Sequence, residues 1–279
     1  SEAKPSEVIF TPKSASIYLY VKDKKASKFN GILGVLPDNE TGEITITGDA
    51  KLRLKNALGR GELIDFNWRK LQTLTQDLKV QFTYPFILNT PFGIDLNFKL
   101  YKRDTTFLEV NQNLGVQYIL KGGDYFKVFV HKQQSNLLSP ELLFNQSTLL
   151  SNAAVSTTTY GAGIQKVRLD YRLNPRRGYS LDFTGGVGNK TIKENAELLL
   201  ENPDIYDGVN LRSTQYQIDG TAEVFVPLKN RSTIKWGVKG GYIVNENTFL
   251  NEMYRIGGIR TLRGFDEESI IASAVAVGT

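Results

Sequence analysis

The sequence offers few residues whose type and spacing could support catalysis. The single histidine, His131, lies in an alternating apolar and polar run. A hydrolase triad would need this histidine, and no Gly-x-Ser-x-Gly elbow accompanies it. Phosphate-binding and dinucleotide-binding fingerprints are missing from the sequence, and cysteine is absent. We therefore predict no catalytic residues, no metal site and no enzymatic activity.

A second candidate for chemistry is the run RIGGIRTLRGF at 255–265. An arginine such as Arg263, if enclosed in a confined space, needs an acceptor, because an unpaired guanidinium away from water is costly. A bidentate contact with a carboxylate would hold it in place. Gly264 would allow a tight backbone turn, and Phe265 would supply an apolar anchor. The alternative interpretation is an exposed loop arginine beside a turn glycine.

The elements that must position this segment show strict period-two alternation. In a strand, successive side chains point to opposite faces, so each such segment has one apolar face and one polar face. The glycine-rich run 184–188 lies in one of these strands, where glycine would relieve crowding in a curved wall. The predicted lipid-facing residues are Ile44, Ile46, Leu52, Leu54, Phe66, Trp68, Phe82, Phe98 and Trp236, and the predicted lumen-facing residues are Asp49, Arg53, Asp65, Arg69, Lys99 and Lys235.

Strand length and loop parity favour a membrane barrel over a soluble sandwich, which also alternates. The strands run to about 10–14 residues, whereas globular strands average about five or six. The long connections, near 134–155, 190–210 and 245–269, all follow odd-numbered strands, as in outer-membrane barrels. The fold class is therefore all-β, a transmembrane antiparallel up-and-down β-barrel. Strands are predicted at 28–37, 43–56, 62–71, 76–86, 92–102, 105–120, 124–133, 156–173, 178–189, 211–226, 231–244 and 270–279.

Composition excludes other classes. No run reaches the roughly 18 apolar residues of a membrane helix. The net charge of +5 is spread through the alternating strands, which argues against binding of nucleic acid. The start at Ser1 carries no signal peptide and looks like the boundary of a mature chain.

These features together resemble the BamA/TamA-type outer-membrane insertases of the bacterial surface antigen superfamily, in a Bacteroidetes-like form. Segment 28–35 resembles the family's first barrel strand, and 14–22 resembles the last strand of a POTRA domain. The resemblance implies two domains: 1–26 as a remnant of the last POTRA domain and 27–279 as an incomplete barrel. The motif that matches the family's inward-folded sixth loop consists of Gly257, Gly258, Arg260, Arg263, Gly264 and Phe265.

The chain departs from the family in its strand number. Family barrels have sixteen strands, whereas about twelve are predicted here. We therefore expect a fragment or a split protein whose first and last strands do not pair. In the family, the acid that accepts the loop arginine lies after this loop. Within this chain, Arg263 is expected to lack that partner or to use a luminal acid such as Asp219 or Glu223.

The resemblance also implies a function. The chain would assist protein insertion or translocation at the bacterial outer membrane without a cofactor, through an inward-folded loop and a weak lateral seam. The implied partners are outer-membrane lipids, unfolded outer-membrane protein clients, and accessory lipoproteins or periplasmic proteins. A secretion pore or porin, or the anchor of a patatin-like enzyme, remains the alternative. The implied seam residues are Phe29, Gly31, Ile32 and Gly34.

Overall fold

The computed structural model describes residues 2–3, 7–22, 26–37, 44–70, 75–103, 107–138, 153–172, 174–201, 203–229, 232–258, 261–266 and 269–279. Its main feature is a single antiparallel sheet of twelve strands, as the alternation predicts. The strands of this sheet are β5 (Lys28–Pro37), β6 (Ile44–Lys55), β7 (Leu63–Lys70), β8 (Gln76–Tyr84), β9 (Phe92–Arg103), β10 (Phe107–Ile119), β11 (Tyr125–Leu137), β12 (Val155–Leu169), β13 (Gly178–Ile192), β14 (Arg212–Pro227), β15 (Thr233–Val244) and β18 (Ala274–Gly278).

Each strand of the sheet pairs with its neighbour along the chain, so the topology is up-and-down. The two end strands, β5 and β18, form no ladder with each other within the described residues. The expectation that they do not pair is therefore confirmed. The predicted last strand, 270–279, is divided at Ser273. Its first part, β17 (Ile270–Ala272), pairs with β16 (Tyr254–Ile256) of the preceding loop, and only β18 continues the sheet.

The cross-strand register sorts the side chains into two faces. Leu52 lies opposite Phe66, whereas the neighbouring Arg53 lies opposite Asp65. Followed across all twelve strands, the register places the nine predicted lipid-facing residues on one face and the six predicted lumen-facing residues on the other. The division between an apolar and a charged face is thus confirmed.

The connections keep the predicted parity. The turns after β6, β10, β12 and β14 are short, and two of them are organised by a carboxylate that accepts backbone N–H groups. Asp170 accepts from the amides of Tyr171, Arg176 and Arg177 at 2.9–3.2 Å. These hydrogen bonds lower the pKa of Asp170. Glu62 plays the same part in the turn before β7, where it accepts from the amide of Arg60 at 3.0 Å.

The long connections carry the remaining structure. Between β13 and β14 lies the short helix α1 (Ala196–Glu201). Its Leu198 belongs to the buried apolar cluster at the loop end of the sheet, which we name the cap. No helix among the described residues is long and apolar enough to cross a membrane. The cap consists of Ala153, Val155, Ile192, Leu198, Ile205, Tyr206 and Phe249.

The N-terminal strands are separate from the large sheet. β2 (Glu7–Thr11) and β3 (Ser14–Tyr18) form a hairpin, and β1 (Glu2–Ala3) pairs with β4 (Val21–Lys22). The strand predicted at 14–22 is thus divided into β3, which pairs with β2, and β4, which pairs with β1. The hairpin exposes apolar side chains, including Phe10 at 79%.

Candidate functional site

Contacts of the 245–269 loop show which face of the sheet is concave. Tyr254 donates a hydrogen bond from its hydroxyl to Asp219 Oδ1 of β14 at 2.8 Å. The next residue, Arg255, lies over the ring of Tyr101 on β9, 5.8 Å from its centroid. β9 and β14 are five strand spacings apart, which is about 24 Å along a flat sheet. Two consecutive residues reach both strands because the sheet curls around the loop.

The same contacts identify the inner wall. Tyr101 is two residues from Lys99 and shares its face, and Asp219 lies on the face of Glu223 and Lys235. The loop therefore lies on the charged face, and the apolar face is convex. Tyr254, Arg255 and Asp219 also line a cavity of about 330 Å³ between the loop and strands β14, β15 and β18.

One region of the inner wall, which we name the charged wall, consists of the inner faces of β6, β7 and β8. Its side chains pair with each other along the wall. Arg53 contacts Asp65, and Asp49 accepts from Lys51 at 3.0 Å. Lys79 Nζ lies 2.6 Å from the carboxylate of Asp77, the neighbouring inner-face residue of β8. The cations keep 29–54% of their side-chain surface exposed, so these ion pairs are solvated.

The opposite region, which we name the covered wall, consists of the inner faces of β12, β13 and β14. Small residues dominate it, with Thr157 and Thr159 buried. A Cβ on Gly161 would overlap the ring of Phe129 and would lie 2.6 Å from the carbonyl of Gly185. Glycine is therefore required there so that neighbouring side chains can lie flat on the wall. Within the predicted run 184–188, Gly186 shows similar crowding, since a Cβ there would lie 2.7 Å from Thr159 Cγ2.

A buried ion pair attaches the loop to the covered wall. Lys190 of β13 has no exposed side-chain surface and contacts the carboxylate of Glu252, which is 4% exposed. The ammonium also donates to the carbonyl of Asn247 and lies 4.7 Å from the ring centroid of Phe249. Burial raises the pKa of Glu252, and the charge and hydrogen bond of Lys190 oppose that rise. A buried charge is stable only when it is paired and hydrogen-bonded, and Lys190 meets both conditions.

Asn251 and Phe249 extend this attachment. The Asn251 amide donates to Ser135 Oγ of β11 and to the carbonyl of Ala153, both at 2.8 Å. The Phe249 ring enters the cap. We name the set Lys190, Phe249, Asn251 and Glu252 the latch, because it joins the loop to three neighbouring strands. Sequence reasoning did not find these residues.

Further along the loop, Tyr254 occupies a space that a glycine provides. A Cβ on Gly241 would lie 2.5 Å from Tyr254 Cζ and 2.8 Å from Asp219 Oδ1. Gln217 donates to Asp219 at 2.9 Å and lies 3.3 Å from the Tyr254 hydroxyl. Burial, followed by the hydrogen bond to Asp219, raises the pKa of Tyr254. Asp219 is therefore engaged by Tyr254, and Glu223 pairs with Lys235 at 2.6 Å.

The predicted motif forms a compact turn beyond the β16–β17 ladder. Gly257 and Gly264 have φ values of 126° and 99°, which favour glycine. The Gly258 amide donates to the Phe265 carbonyl at 3.0 Å, and Thr261 Oγ1 contacts both the amide and the carbonyl of Gly257. Arg260 lies outside the described residues. The glycines of the motif thus shape the backbone.

At the tip, Arg263 has no luminal acid among the described residues as its partner, which is one of the two expected arrangements. Arg263 is exposed and forms no ion pair with any described residue, and Phe265 is 53% exposed. Neither Asp219 nor Glu223 accepts Arg263, because each already has a nearer partner. The role of Phe265 as an apolar anchor stays a prediction.

The described part of the chain shows no arrangement of side chains for catalysis. Among the described residues, no group of three or more histidine, cysteine, aspartate or glutamate side chains could hold a metal ion. His131 lies on the inner wall beside Asn113 and Thr159, without a serine or cysteine nucleophile among the residues that line the same cavity.

Comparison with known proteins identifies the family. The chain matches the model of the Omp85 superfamily domain over residues 56–278. It belongs to the Omp85 superfamily. This confirms the predicted family and the predicted location in the bacterial outer membrane, whereas the Bacteroidetes-like character stays a prediction. No curated protein matches the chain.

A solved structure supports the fold of this Omp85 chain. The crystal structure of BamA from Haemophilus ducreyi lacking POTRA domains 1–3 matches with a TM-score of 0.50 and 14% sequence identity. The match covers 96% of this chain and 52% of the BamA chain, so the chain spans about half the length of that relative. At this identity the likeness shows the barrel architecture.

The predicted seam residues of the Omp85 chain lie on β5. Phe29 and Gly31 are on the outer face, and Ile32 and Gly34 are on the inner face. The Phe29 ring covers Gly31, since a Cβ there would lie 3.2 Å from Phe29 Cζ. Ile32 is 72% exposed on the inner face, where β5 also carries the polar Lys28 and Asn30, so β5 is apolar on both faces only over 31–37.

Proposed function

We propose that this Omp85 barrel assists insertion or translocation of proteins at the outer membrane, with a loop held inside the barrel and a lateral edge on β5. The observation that carries the proposal is the attachment of the loop to the inner wall. Lys190–Glu252 and Tyr254–Asp219 keep loop residues inside the curved sheet, where they occupy space that a passive pore would leave open. No cofactor and no catalytic step are required.

The second feature that supports the proposal is the composition of β5. Over 31–37 this strand is apolar on both faces, so its outer face can contact lipid while its edge accepts an incoming apolar strand. Addition of a strand to a sheet edge supplies main-chain hydrogen bonds without demanding a particular sequence. The proposed clients are unfolded outer-membrane proteins. Accessory lipoproteins or periplasmic proteins are proposed as further partners, and residues 1–26 as the end of a POTRA domain that precedes the barrel at 27–279.

The test compares two inner-face positions in the full-length protein. A photo-crosslinking amino acid is placed at Ile32 on β5 or at Gln81 on β8, which lies in the middle of the charged wall. During assembly of a β-barrel client, we expect crosslinks to the client from Ile32 and none from Gln81. Crosslinks from Gln81 alone, with a substrate in transit, would contradict insertion at an edge and favour the secretion pore.

A conductance measurement separates the remaining alternatives. In planar bilayers, the proposed function predicts low conductance that rises when the latch is broken by Glu252→Ala, because the loop then leaves the lumen. High conductance in the unmodified protein would favour a porin. An anchor for a patatin-like enzyme would give client crosslinks from neither Ile32 nor Gln81.

A further inference from the structure

The outer face carries a groove on β13, β14 and β15 that the proposed function does not use. We name it the outer groove. It has a volume of about 560 Å³, and its lining is almost entirely apolar. It exists because Gly220 and Gly240 lie directly opposite each other and Ala222 lies beside them, so three neighbouring outward positions have little or no side chain. Larger residues form its sides: Ile164, Leu181, Phe183, Ile218, Val238 and Tyr242.

The outer groove opens toward the short-turn end of the barrel at a basic side chain. Lys166 lines it, is exposed, and lies opposite Leu181, which in turn lies opposite Ala222. Lys166 is three residues before the end of β12, close to the turn at 170–177. The long side chain of Lys166 can carry its ammonium toward the turn and the lipid headgroups while its methylenes lie along the apolar surface.

Two neighbouring aromatic residues lie one outward position closer to the short turns than Lys166, in register with Arg168. Tyr179 lies opposite Val224, and Val224 lies opposite Trp236, whose surface is 67% exposed. Tyrosine and tryptophan concentrate where the hydrocarbon meets the headgroups. The groove residues Ala222 and Val238 are two positions further along their strands, or roughly 7 Å deeper. The outer groove therefore begins at the headgroup level and continues into the hydrocarbon.

The charge at this level is positive. Arg168 pairs with Asp124 at 2.7 Å, and Lys166 also interacts electrostatically with Asp124. Because Arg168 is paired with Asp124, Lys166 supplies the positive charge at the entrance, whereas Asp182, which also lines the groove, belongs to the inner-facing set of β13. A phosphate group complements that charge, and an acyl chain complements the apolar groove behind it.

We propose that the outer groove binds one phospholipid of the periplasmic leaflet, with an acyl chain along Gly220, Ala222 and Gly240 and the phosphate at Lys166. The short turns identify this leaflet, because outer-membrane barrels have short turns on the periplasmic side. The protein would then hold one lipid at a fixed position on the outer face of β13–β15, next to β18. This inference does not depend on whether the barrel inserts proteins.

The test uses the full-length protein in vesicles that contain phosphatidylethanolamine with a photoreactive diazirine on one acyl chain. After illumination, mass spectrometry measures labelling of the groove strands β13–β15 and of the outer face of β9 and β10. We expect labelling to be concentrated in the groove strands. Lys166→Gln should lower it about fivefold, the effect of one basic residue on binding at a membrane surface. Ala222→Leu should lower it to the level of β9 and β10.

Matched variants control for the changes themselves. Lys132→Gln removes an outward lysine on β11, near the long-loop end of the sheet and away from Lys166. Ala50→Leu enlarges an outward alanine on β6. Both should leave labelling of the groove unchanged. Equal labelling of the two faces, or labelling that survives both Lys166→Gln and Ala222→Leu, would overturn the proposal.

Discussion

The charged wall and the covered wall belong to the same sheet and face the same interior, yet they accommodate their polar and charged side chains differently. On the charged wall, exposed side chains such as Arg53 and Asp65 pair along the surface and remain in contact with water. On the covered wall, Thr157 and Thr159 are buried beneath the loops, and the single buried cation, Lys190, has a dedicated carboxylate. The difference arises because water contacts the charged wall, whereas loops cover the other.

This contrast has an energetic consequence. Exposed ion pairs contribute about 0–1 kcal/mol each, because water screens the charges and the side chains lose entropy when they pair. A buried charge that loses its partner destabilises a protein by about 3–5 kcal/mol. The covered wall should therefore be sensitive to single substitutions that the charged wall tolerates.

The largest expected effect is the loss of the latch. Glu252→Ala leaves the Lys190 ammonium buried without its carboxylate, so we expect a destabilisation of about 3–5 kcal/mol in which the loop leaves the wall. Urea unfolding in detergent measures the stability, and limited proteolysis of 245–258 measures the release of the loop.

Asp65→Ala is the matched control, since it removes the partner of Arg53 on the charged wall. We expect a loss of about 0–1 kcal/mol and no change in the proteolysis of the loop. Replacement of both latch charges, as in Lys190→Met with Glu252→Leu, should restore much of the stability, because no buried charge remains. Equal effects of Glu252→Ala and Asp65→Ala would remove the distinction between the two walls.

The next prediction concerns the outer face, where the two regions should behave alike. Phe66 of β7 and Val224 of β14 both point outward and lie at the fourth position from a short turn. Phe66→Arg and Val224→Arg should destabilise the barrel by similar amounts, about 2–4 kcal/mol at the middle of the membrane and less near its surface. Unfolding from lipid vesicles measures both. A large difference between them would show that one of these surfaces is covered by protein.

A smaller effect is expected from glycine on the covered wall. Gly161→Ala should cost about 1–3 kcal/mol, because its Cβ would collide with Phe129 and with the carbonyl of Gly185. Gly115→Ala, also on the inner face, has its nearest neighbour at 3.6 Å and should be tolerated. Thermal unfolding of the two variants tests this. If Gly115→Ala were the more damaging substitution, the tight packing of the covered wall would not explain its glycines.

The strands and their faces were predictable because alternation is a local property. The run from Ile44 to Lys55 reads as a two-faced strand without knowledge of its neighbours, and the structure places it as such. The connection lengths also lie along the chain, so their parity was visible. The break at Ser273 was not, because it depends on β17 pairing with β16 in the loop.

The latch could not be predicted from the sequence, because its members are far apart in the chain. Lys190 and Glu252 are separated by 62 residues, and Asn251 reaches Ser135 over 116 residues. One signal was available: Lys190 is a lone inner-face cation in a strand of glycine and threonine. Arg263 was singled out because it lies in a recognisable sequence motif. The described contacts to the wall are made instead by Glu252 and Tyr254, which lie outside that motif.

The smallest predicted effect sharpens the comparison at Tyr254. Tyr254→Phe removes one hydrogen bond to Asp219, which keeps its bond from Gln217, so we expect a loss of about 1 kcal/mol. Hydrogen exchange of the amides at 254–258 should accelerate about fivefold, the ratio that corresponds to that energy. Gly241→Ala should accelerate exchange further, because its Cβ would displace the whole Tyr254 ring and not the hydroxyl alone. Lys79→Met, which breaks an exposed pair on the charged wall, should leave exchange in the loop unchanged. If Tyr254→Phe had no effect while Gly241→Ala released the loop, ring packing would hold this part of the loop, and Asp219 would be one more solvated acid of the inner wall.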